Sequence, residues 1–167
     1  CSYYNANNAL YLESPEIAKF YAQEFAIEWT GKFGKNKTPL RQIFNTPEGA
    51  VEVCFDPQPA CAQDIDQVLK TADNNLSIAA FSFTDKILIK TVQTIVPQKN
   101  LTFRALLNAP DCRYGAYQYW KTLAPTTVIT RQDLSHPPKM VHDKFIVIDA
   151  GTDSDPTVVT GSRNFSA

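Results

Sequence analysis

Apolar positions recur at helical spacing in the first part of the chain, directly after a strong helix-start signal. Ser14, Pro15 and Glu16 offer a hydroxyl that can cap the first turn, a proline suited to the first helical position and an acid beside it. The pattern predicts a helix over residues 14–29, preceded by a short strand over residues 9–12. The predicted apolar face of this helix consists of Ile17, Phe20, Tyr21, Phe25 and Trp29.

Residues 31–48 lose this period and are rich in glycine, proline, asparagine and lysine, which predicts a linker. Beyond them, short apolar runs alternate with helical patterns; Asp85 is placed to cap one helix, and Pro97 is expected to end it. This alternation predicts an α/β fold with helices packed on a sheet. The predicted strands are residues 51–55, 76–83, 101–107, 126–130, 144–149 and 157–160, and the predicted helices are residues 61–72, 84–96 and 111–123.

The composition is that of an ordinary globular protein with a domain-sized core: 167 residues, 44% hydrophobic and 20% charged. A formal net charge of −1 gives no general attraction to a polyanion, so a nucleic-acid partner would need a local basic patch. Lys32, Lys35 and Lys37 could supply one, although a solvated loop is the simpler interpretation. No apolar run of the sequence approaches the length of a membrane span.

The four cysteines match no zinc-binding spacing. Cys54 lies in a predicted strand and Cys61 begins a predicted helix, and we interpret both as buried or half-buried thiols. A disulfide between them stays open, because it depends on an oxidising compartment. A group of aromatic residues in the last predicted helix could stack on bases or meet a membrane, but helical spacing favours a place in the core. These residues are Tyr114, Tyr117, Tyr119 and Trp120.

Near the end of the chain, polar residues flank a strongly apolar strand pattern. His142 and Lys144 are two positions apart, so they point to the same side of a strand, and four apolar residues then lead to Asp149. The next predicted strand is followed by a second polar group. This group consists of Gly161, Ser162 and Asn164. If the two strands pair, the second group reaches the same end of the sheet as His142, whereas Asp149 lies at the far end.

These side chains suit the chemistry of a phosphodiester. A neutral imidazole such as that of His142 can attack phosphorus without charge repulsion, and Lys144 can offset the charge on the phosphoryl oxygens. Ser162, Asn164 and the backbone N–H groups near Gly161 can donate hydrogen bonds to the same oxygens. This scheme requires no metal and no other cofactor. We interpret Asp149 as a structural or supporting member of the catalytic motif rather than a proton carrier.

The pattern H-x-K-x4-D followed by G-S-x-N resembles the signature of the phospholipase D superfamily. The resemblance implies a mixed β-sheet flanked by helices in an α/β/α sandwich. It also implies metal-independent hydrolysis of a phospholipid headgroup or a nucleic acid through a phosphohistidine intermediate. His142, Lys144 and Asp149 match the catalytic motif, while Gly161, Ser162 and Asn164 match the phosphate-binding residues. The gap between the two parts is longer than usual in the family, and residues 151–156 look like a hairpin insertion that absorbs it.

The resemblance covers most of the chain, but in an unusual order. Residues 51–57 and 78–85 are similar to the opening strands of such a domain, whereas residues 5–29 are similar to its closing strand and helix. We therefore divide the chain into a closing piece (1–30), a linker (31–48) and a motif-carrying lobe (49–167). Two explanations are open: the chain is the middle of a tandem two-motif protein, or its first part completes the lobe in permuted order.

The family mechanism uses two motifs that face each other, so that one histidine becomes phosphorylated and the other protonates the leaving group. A single motif in this chain implies a second one from a missing lobe or from a homodimer mate. Family members often carry an acid that orients a histidine, and the matching position here is Asn7. A different class of function therefore stays open: a non-catalytic lobe that binds a partner or a phosphodiester without turnover.

Overall fold

The computed structural model describes residues 5–37, 39–55, 59–109 and 115–166. Its helices are α1 (Pro15–Trp29), α2 (Pro59–Lys70), α3 (Lys86–Gln98) and α4 (Ala116–Leu123), and short 3-10 turns cover Gly34–Asn36 and Arg131–Asp133. Its strands are β1 (Asn5–Ala6), β2 (Arg41–Thr46), β3 (Gly49–Cys54), β4 (Asn75–Ala80), β5 (Thr102–Leu107), β6 (Val128–Thr130), β7 (Met140–Val141), β8 (Lys144–Ile148) and β9 (Thr157–Thr160).

These elements form two compact units. The larger unit joins Cys1–Ala9 to Asp64–Ala167, and the smaller unit is Leu10–Gln63. The larger unit is built on a five-stranded sheet with the strand order β6-β5-β4-β8-β9. Strands β6, β5 and β4 run parallel, while β8 and β9 are antiparallel to their neighbours. The predicted fold class, a mixed α/β sheet with helices, is therefore confirmed.

The core of the larger unit lies on one face of this sheet. Leu76 and Ile78 of β4 and Ile146 and Ile148 of β8 have the same parity, and all are buried. Apolar residues of α2, α3 and α4 pack against this face, so the three helices share one hydrophobic cluster. Trp120 of α4 is fully buried at its centre. The expectation that the aromatic residues of this helix belong to the core therefore holds for Trp120.

The other aromatic residues of that set differ. Tyr117 is half-buried and packs against the cluster, and Tyr119 is exposed. Tyr114 lies outside the described residues. An α-helix of two turns that packs on a sheet from one side buries one stripe only, which leaves Tyr119 in solvent.

The smaller unit packs α1 on the antiparallel hairpin of β2 and β3. Ser14 caps α1 as predicted, its Oγ accepting a hydrogen bond from the backbone N–H of Ile17 at 3.3 Å. Ile17 and Phe20 of α1 pack against Phe44 and Val53 of the hairpin. This unit therefore has a small hydrophobic core of its own.

The predicted apolar face of α1 is buried only in its first half. Tyr21, Phe25 and Trp29 are 52%, 61% and 79% exposed, so the second half of the face is not buried. Ile17 and Phe20, the two residues of α1 that pack in the core with the hairpin, lie within about one turn of the helix. Spacing along a helix predicts which side chains share a face, but not how much of that face finds a partner.

Two short or interrupted elements depart from the prediction. Residues 9–12 form no strand, and the first strand is instead β1, whose two residues pair in parallel with β7. The region predicted as a linker contains β2. Neither departure has a sequence signal, because a two-residue strand shows no alternation and β2 mixes polar and apolar residues on a largely exposed edge.

Helix α3 continues past Pro97, which was expected to end it. The helix ends one residue later, at Gln98, where the backbone N–H of Leu101 donates to Val96 O at 3.0 Å and Asn100 adopts a positive φ of 53°. This is the geometry of a left-handed helix terminus, for which asparagine is well suited. In the last turn a proline costs only one intrahelical hydrogen bond, so it is tolerated there.

Two interpretations in the smaller unit are corrected by side-chain contacts. Cys54 and Cys61 form a disulfide with a Cα–Cα separation of 5.8 Å, so the interpretation of both as buried or half-buried thiols is wrong. The strand end and the first turn of α2 bring the two cysteines within bridging distance. Lys37 is not a solvated loop lysine: it is buried and ion-paired with Glu24, with Glu28 Oε1 at 3.9 Å from its Nζ. The positive charge of Lys37 is therefore paired with Glu24 within the smaller unit.

Candidate active site

His142 lies between β7 and β8, at the edge of the larger unit, and its side chain is exposed. Its backbone N–H donates to Ala6 O at 2.8 Å, which continues the parallel pairing of β1 with β7. Its ring Nδ1 lies 3.1 Å from Asn7 Oδ1. The Phe81 ring, just after β4, stands 5.2 Å from the imidazole between ring centroids. The imidazole is therefore contacted at Nδ1 by Asn7 and on one side by the Phe81 ring, while its remaining surface faces solvent.

Asn7 is itself fixed by the short strand before it. Its Nδ2 donates to the backbone oxygen of Asn5 at 3.3 Å. Because the amide nitrogen is turned towards Asn5, the amide oxygen is turned towards His142. The contact joins residues 135 positions apart in the chain, so the N-terminal segment and the motif form one site.

Lys144 is the first residue of β8 and pairs with Ala80 at the end of β4. Its side chain is buried, with Nζ donating to His142 O at 2.8 Å and lying 5.6 Å from the centre of the Phe81 ring. Burial lowers the pKa of the Lys144 ammonium, and the nearby Asp143 carboxylate acts in the opposite direction. The ammonium thus sits beside the histidine in a partly desolvated position, where its electric field is weakly screened.

Strand register brings the second polar group to the same end of the sheet, as predicted. Phe145 of β8 pairs with Thr160 of β9, so Gly161 follows directly beside the start of β8. Asn8 ties the two strands together: its Oδ1 accepts from Lys144 N at 3.4 Å, and its Nδ2 donates to Thr160 Oγ1 at 2.6 Å. The predicted hairpin insertion is the connection between these two strands.

Beyond Gly161, Ser162 is exposed and Asn164 is half-buried. Asn164 Oδ1 is shielded from solvent and accepts no hydrogen bond within the described part of the chain. The turn is anchored by Phe165, which is buried against Phe83 with ring centroids 4.9 Å apart. The backbone oxygen of Phe165 also accepts from the N–H groups of Thr84 and Asp85 at 2.8 and 3.0 Å. The polar turn is thus attached to the start of α3.

Asp149 lies at the opposite end of β8 and is fully buried, with a positive φ of 52°. Its carboxylate accepts hydrogen bonds from the backbone N–H groups of Asp73, Asn74 and Asn75, and from Ser154 Oγ at 2.8 Å. Burial acts to raise the pKa of this carboxyl, but these hydrogen bonds outweigh it and lower the pKa to about 2. The structure thus brings His142 and Lys144 together and keeps Asp149 apart from them.

Sequence reasoning missed two residues of this site. Asn8 carries no motif signal of its own, and its role follows only from the docking of the N-terminal segment on β8 and β9. Phe81 was noted as part of a strand, but not as a neighbour of His142 and Lys144. A groove of about 430 Å³ on the other face of the sheet, lined by residues such as Ala79, Leu106 and Phe145, contains none of the predicted site residues.

Neither a metal-binding cluster nor a membrane-spanning helix occurs among the described residues. In residues 5–37, 39–55, 59–109 and 115–166, no three histidine, cysteine, aspartate or glutamate side chains come together as a metal would require. Within the same ranges, every helix is too short or too polar to cross a bilayer.

Similarity to known proteins agrees with this architecture. A family model described as cardiolipin synthase, PLD-like domain, matches residues 65–167. The fold is similar to that of NucT from Helicobacter pylori, with a TM-score of 0.54, 15% identity and 77% of each chain covered. A phospholipase D family member, Nuc from Salmonella typhimurium, gives a TM-score of 0.49 at 21% identity, covering 77% of this chain and 74% of that one. No curated protein matches the chain.

The family model covers more than half of the chain and includes the whole five-stranded sheet. The likeness to NucT, at low identity, supports the fold and not a particular substrate. The matched region also contains the histidine, the lysine and the polar turn whose positions are described above. The chain therefore belongs to the phospholipase D-like family, which is a family of phosphodiesterases.

Proposed function

We propose that the larger unit is one lobe of a metal-independent phosphodiesterase of phospholipase D type, in which His142 reacts with the phosphorus of the substrate. The observation that carries this proposal is the placement of an exposed imidazole, held at Nδ1 by Asn7, next to the ammonium of Lys144. The register of β8 and β9 supports it further, because Ser162 follows at the same end of the sheet.

The proposed reaction has two displacements. Nε2 of His142 attacks phosphorus, the phosphorus–oxygen bond to the leaving group breaks, and a histidine of a second motif gives its proton to the departing oxygen. The second histidine then takes a proton from water, whose oxygen displaces His142 from phosphorus and completes hydrolysis. In both steps Lys144 and the donors around Ser162 and Asn164 stabilise the phosphoryl oxygens.

The proposal requires a second motif, which a missing lobe or a homodimer mate would supply. For the substrate, a phospholipid headgroup and a nucleic acid share the same diester chemistry and stay as two alternatives. The formal net charge of −1 counts mildly against general binding of nucleic acids. Lys37 does not favour nucleic-acid binding either, because its charge is ion-paired with Glu24.

A non-catalytic lobe is the second candidate, and two contacts favour it. Asn7 supplies an amide where family members often have an acid, and the Lys144 ammonium already donates to His142 O. Such a lobe would bind a phosphate group without breaking a bond. Turnover therefore separates the two candidates, while binding of a phosphate does not.

The test is hydrolysis of bis(p-nitrophenyl) phosphate in excess EDTA, with the mass of the protein in solution measured alongside. We expect turnover that survives EDTA and falls by about 100-fold or more in His142→Ala, as for loss of an acting acid, base or nucleophile. His136→Ala is the matched control, because His136 is exposed and contacts only Ser135 Oγ among the hydrogen bonds of the described residues. This variant should keep the wild-type rate.

Three results would contradict the proposal. Turnover lost in EDTA would point to a metal-dependent reaction, and equal turnover in the His142→Ala variant would place the chemistry elsewhere. A folded protein that binds tungstate through His142, forms a dimer and still shows no turnover would favour the non-catalytic lobe.

A further inference from the structure

We infer that Asn7 is a positioning residue that fixes the tautomer of His142, so that Nδ1 carries the proton and Nε2 presents its lone pair, without placing a negative charge beside the ring. The ring contact itself stands on geometry alone. Its consequence for the reaction rests on the function proposed above.

The orientation of the Asn7 amide follows from its two neighbours. Nδ2 faces the backbone oxygen of Asn5 at 3.3 Å, and Oδ1 faces His142 Nδ1 at 3.1 Å. A flipped amide would set its oxygen against the oxygen of Asn5, and two acceptors would then face each other. The observed orientation is therefore favoured by the Asn5 carbonyl, which acts on the histidine through the amide.

The orientation of the amide sets the proton on the imidazole. An amide oxygen is only an acceptor, so the partner nitrogen at 3.1 Å must be a donor. In a neutral imidazole one nitrogen donates and the other accepts, which leaves the lone pair on Nε2. Because the side chain of His142 is exposed, that lone pair is accessible to a diester.

The second half of the inference concerns charge. A carboxylate at this position would hold the ring and also stabilise the protonated imidazolium, whereas an amide only holds the ring. Two groups from other segments contact the ring, the Asn7 amide and the Phe81 ring, and both are uncharged. On its own segment the charged neighbours are Asp143 and Lys144, and Lys144 donates to the backbone oxygen of His142 rather than to the ring. Asn7 therefore orients without charging the site.

Substitutions at Asn7 separate orientation from charge. Asn7→Ala removes the acceptor and Asn7→Asp keeps an acceptor while adding a charge. Asn45→Asp is the matched control, because Asn45 is an exposed residue of β2 in the smaller unit. The primary readout is the ¹⁵N spectrum of the two histidine rings, which reports the tautomer whether or not the protein is active. His136→Ala assigns the signals.

In the native protein we expect the His142 signals of a ring protonated at Nδ1. Asn7→Ala should shift the ring towards protonation at Nε2, while Asn7→Asp should keep the Nδ1 proton. The pH–rate profile adds a test of charge: the limb governed by His142 should move up by about one pH unit in Asn7→Asp, because an adjacent carboxylate stabilises the imidazolium. The limb should move up whether His142 attacks phosphorus or protonates the leaving group. The control variant Asn45→Asp should leave the pH–rate profile unchanged.

The inference is overturned if the native ring is protonated at Nε2, or if Asn7→Ala leaves the ring signals unchanged. If the pH–rate profile of Asn7→Asp does not move, the claim that Asn7 matters by leaving the ring without a neighbouring charge is wrong. The expected tautomer in a protein without turnover would leave the positioning role intact and count against the proposed function instead, so the two failures are distinct.

Discussion

At the scale of single residues, the site holds a lysine whose pKa is lowered by burial. Lys144 is buried beside Phe81 and next to His142 O, and burial lowers the pKa of its ammonium. A lysine with a lowered pKa keeps its positive charge below that pKa and loses it as the pH rises through it. Phosphate binding should therefore weaken at a lower pH than an exposed lysine would allow.

This predicts a difference between lysine and arginine at position 144. Tungstate binding, measured by calorimetry at increasing pH, should decline in the native protein before the ordinary range of lysine is reached. In Lys144→Arg, where the guanidinium stays charged, the binding that remains should show no such decline. Lys139→Arg, at an exposed position, is the control and should follow the native curve. Equal alkaline limbs in all three proteins would refute the role given to Lys144.

The relative placement of His142 and Lys144 could be predicted from the sequence, but the residues that contact them could not. His142 and Lys144 share a local spacing that specifies their direction on a strand, and the structure places them side by side. Asn8 and Phe81 reach the site only because distant segments dock there. Contacts between segments so far apart in the chain leave no periodicity in the sequence, so they have to be observed.

At the scale of elements, Asp149 joins two strands by accepting backbone hydrogen bonds. Its carboxylate binds three successive N–H groups where the chain enters β4, while its own backbone follows the end of β8. The pKa of about 2, against an ordinary value of 3.8, shows that the folded state favours the ionised form. The stabilisation is present above the ordinary pKa and is lost as the pH falls towards 2.

We expect Asp149→Asn to lower the free energy of unfolding by roughly 2 kcal/mol at neutral pH, with less loss at acidic pH. Denaturant titration at several pH values measures this. Asp153→Asn is the control, since Asp153 is an exposed residue of the same hairpin connection, and it should change stability little. A loss in Asp149→Asn that does not depend on pH would mean that shape, and not charge, sets the requirement for aspartate.

Elements with a strong local pattern were predictable, whereas elements without one were not. The period of α1 and the apolar run of β8 predicted those elements closely, and β9 was predicted with its observed bounds. The pairing of β1 with β7 involves two residues on each side and depends on tertiary contacts. In helix α3 the expected stop signal, Pro97, lies inside the helix. The end of the helix is marked instead by the positive φ of Asn100.

At the scale of the whole molecule, the smaller unit contains a covalent link. The Cys54–Cys61 disulfide joins β3 to α2 across a sequence separation of 7 residues. Closing a loop of this size stabilises the folded state by roughly 2 kcal/mol in the chain-entropy model. The small core around Ile17, Phe20 and Phe44 offers little apolar burial to replace that contribution.

Replacing Cys54 and Cys61 together by serine should therefore increase amide hydrogen exchange in β2 and β3. Strands β4 and β5, which belong to the core of the larger unit, serve as the internal control and should change less. Exchange measured by mass spectrometry resolves these segments. Unchanged protection of the hairpin would show that the disulfide is dispensable for the smaller unit.

The docking of β1 on β7 has a consequence for limited proteolysis. Residues 5–9 belong to the larger unit although residues 10–63 intervene, so the covalent path from Asn7 to His142 passes through the whole smaller unit. A single nick in residues 31–37 would leave every residue of the motif uncut. It would nevertheless place Asn7 and His142 on opposite sides of the cut, so that the backbone would no longer join them. A protease that never touches the motif could thus loosen the contact between its histidine and Asn7.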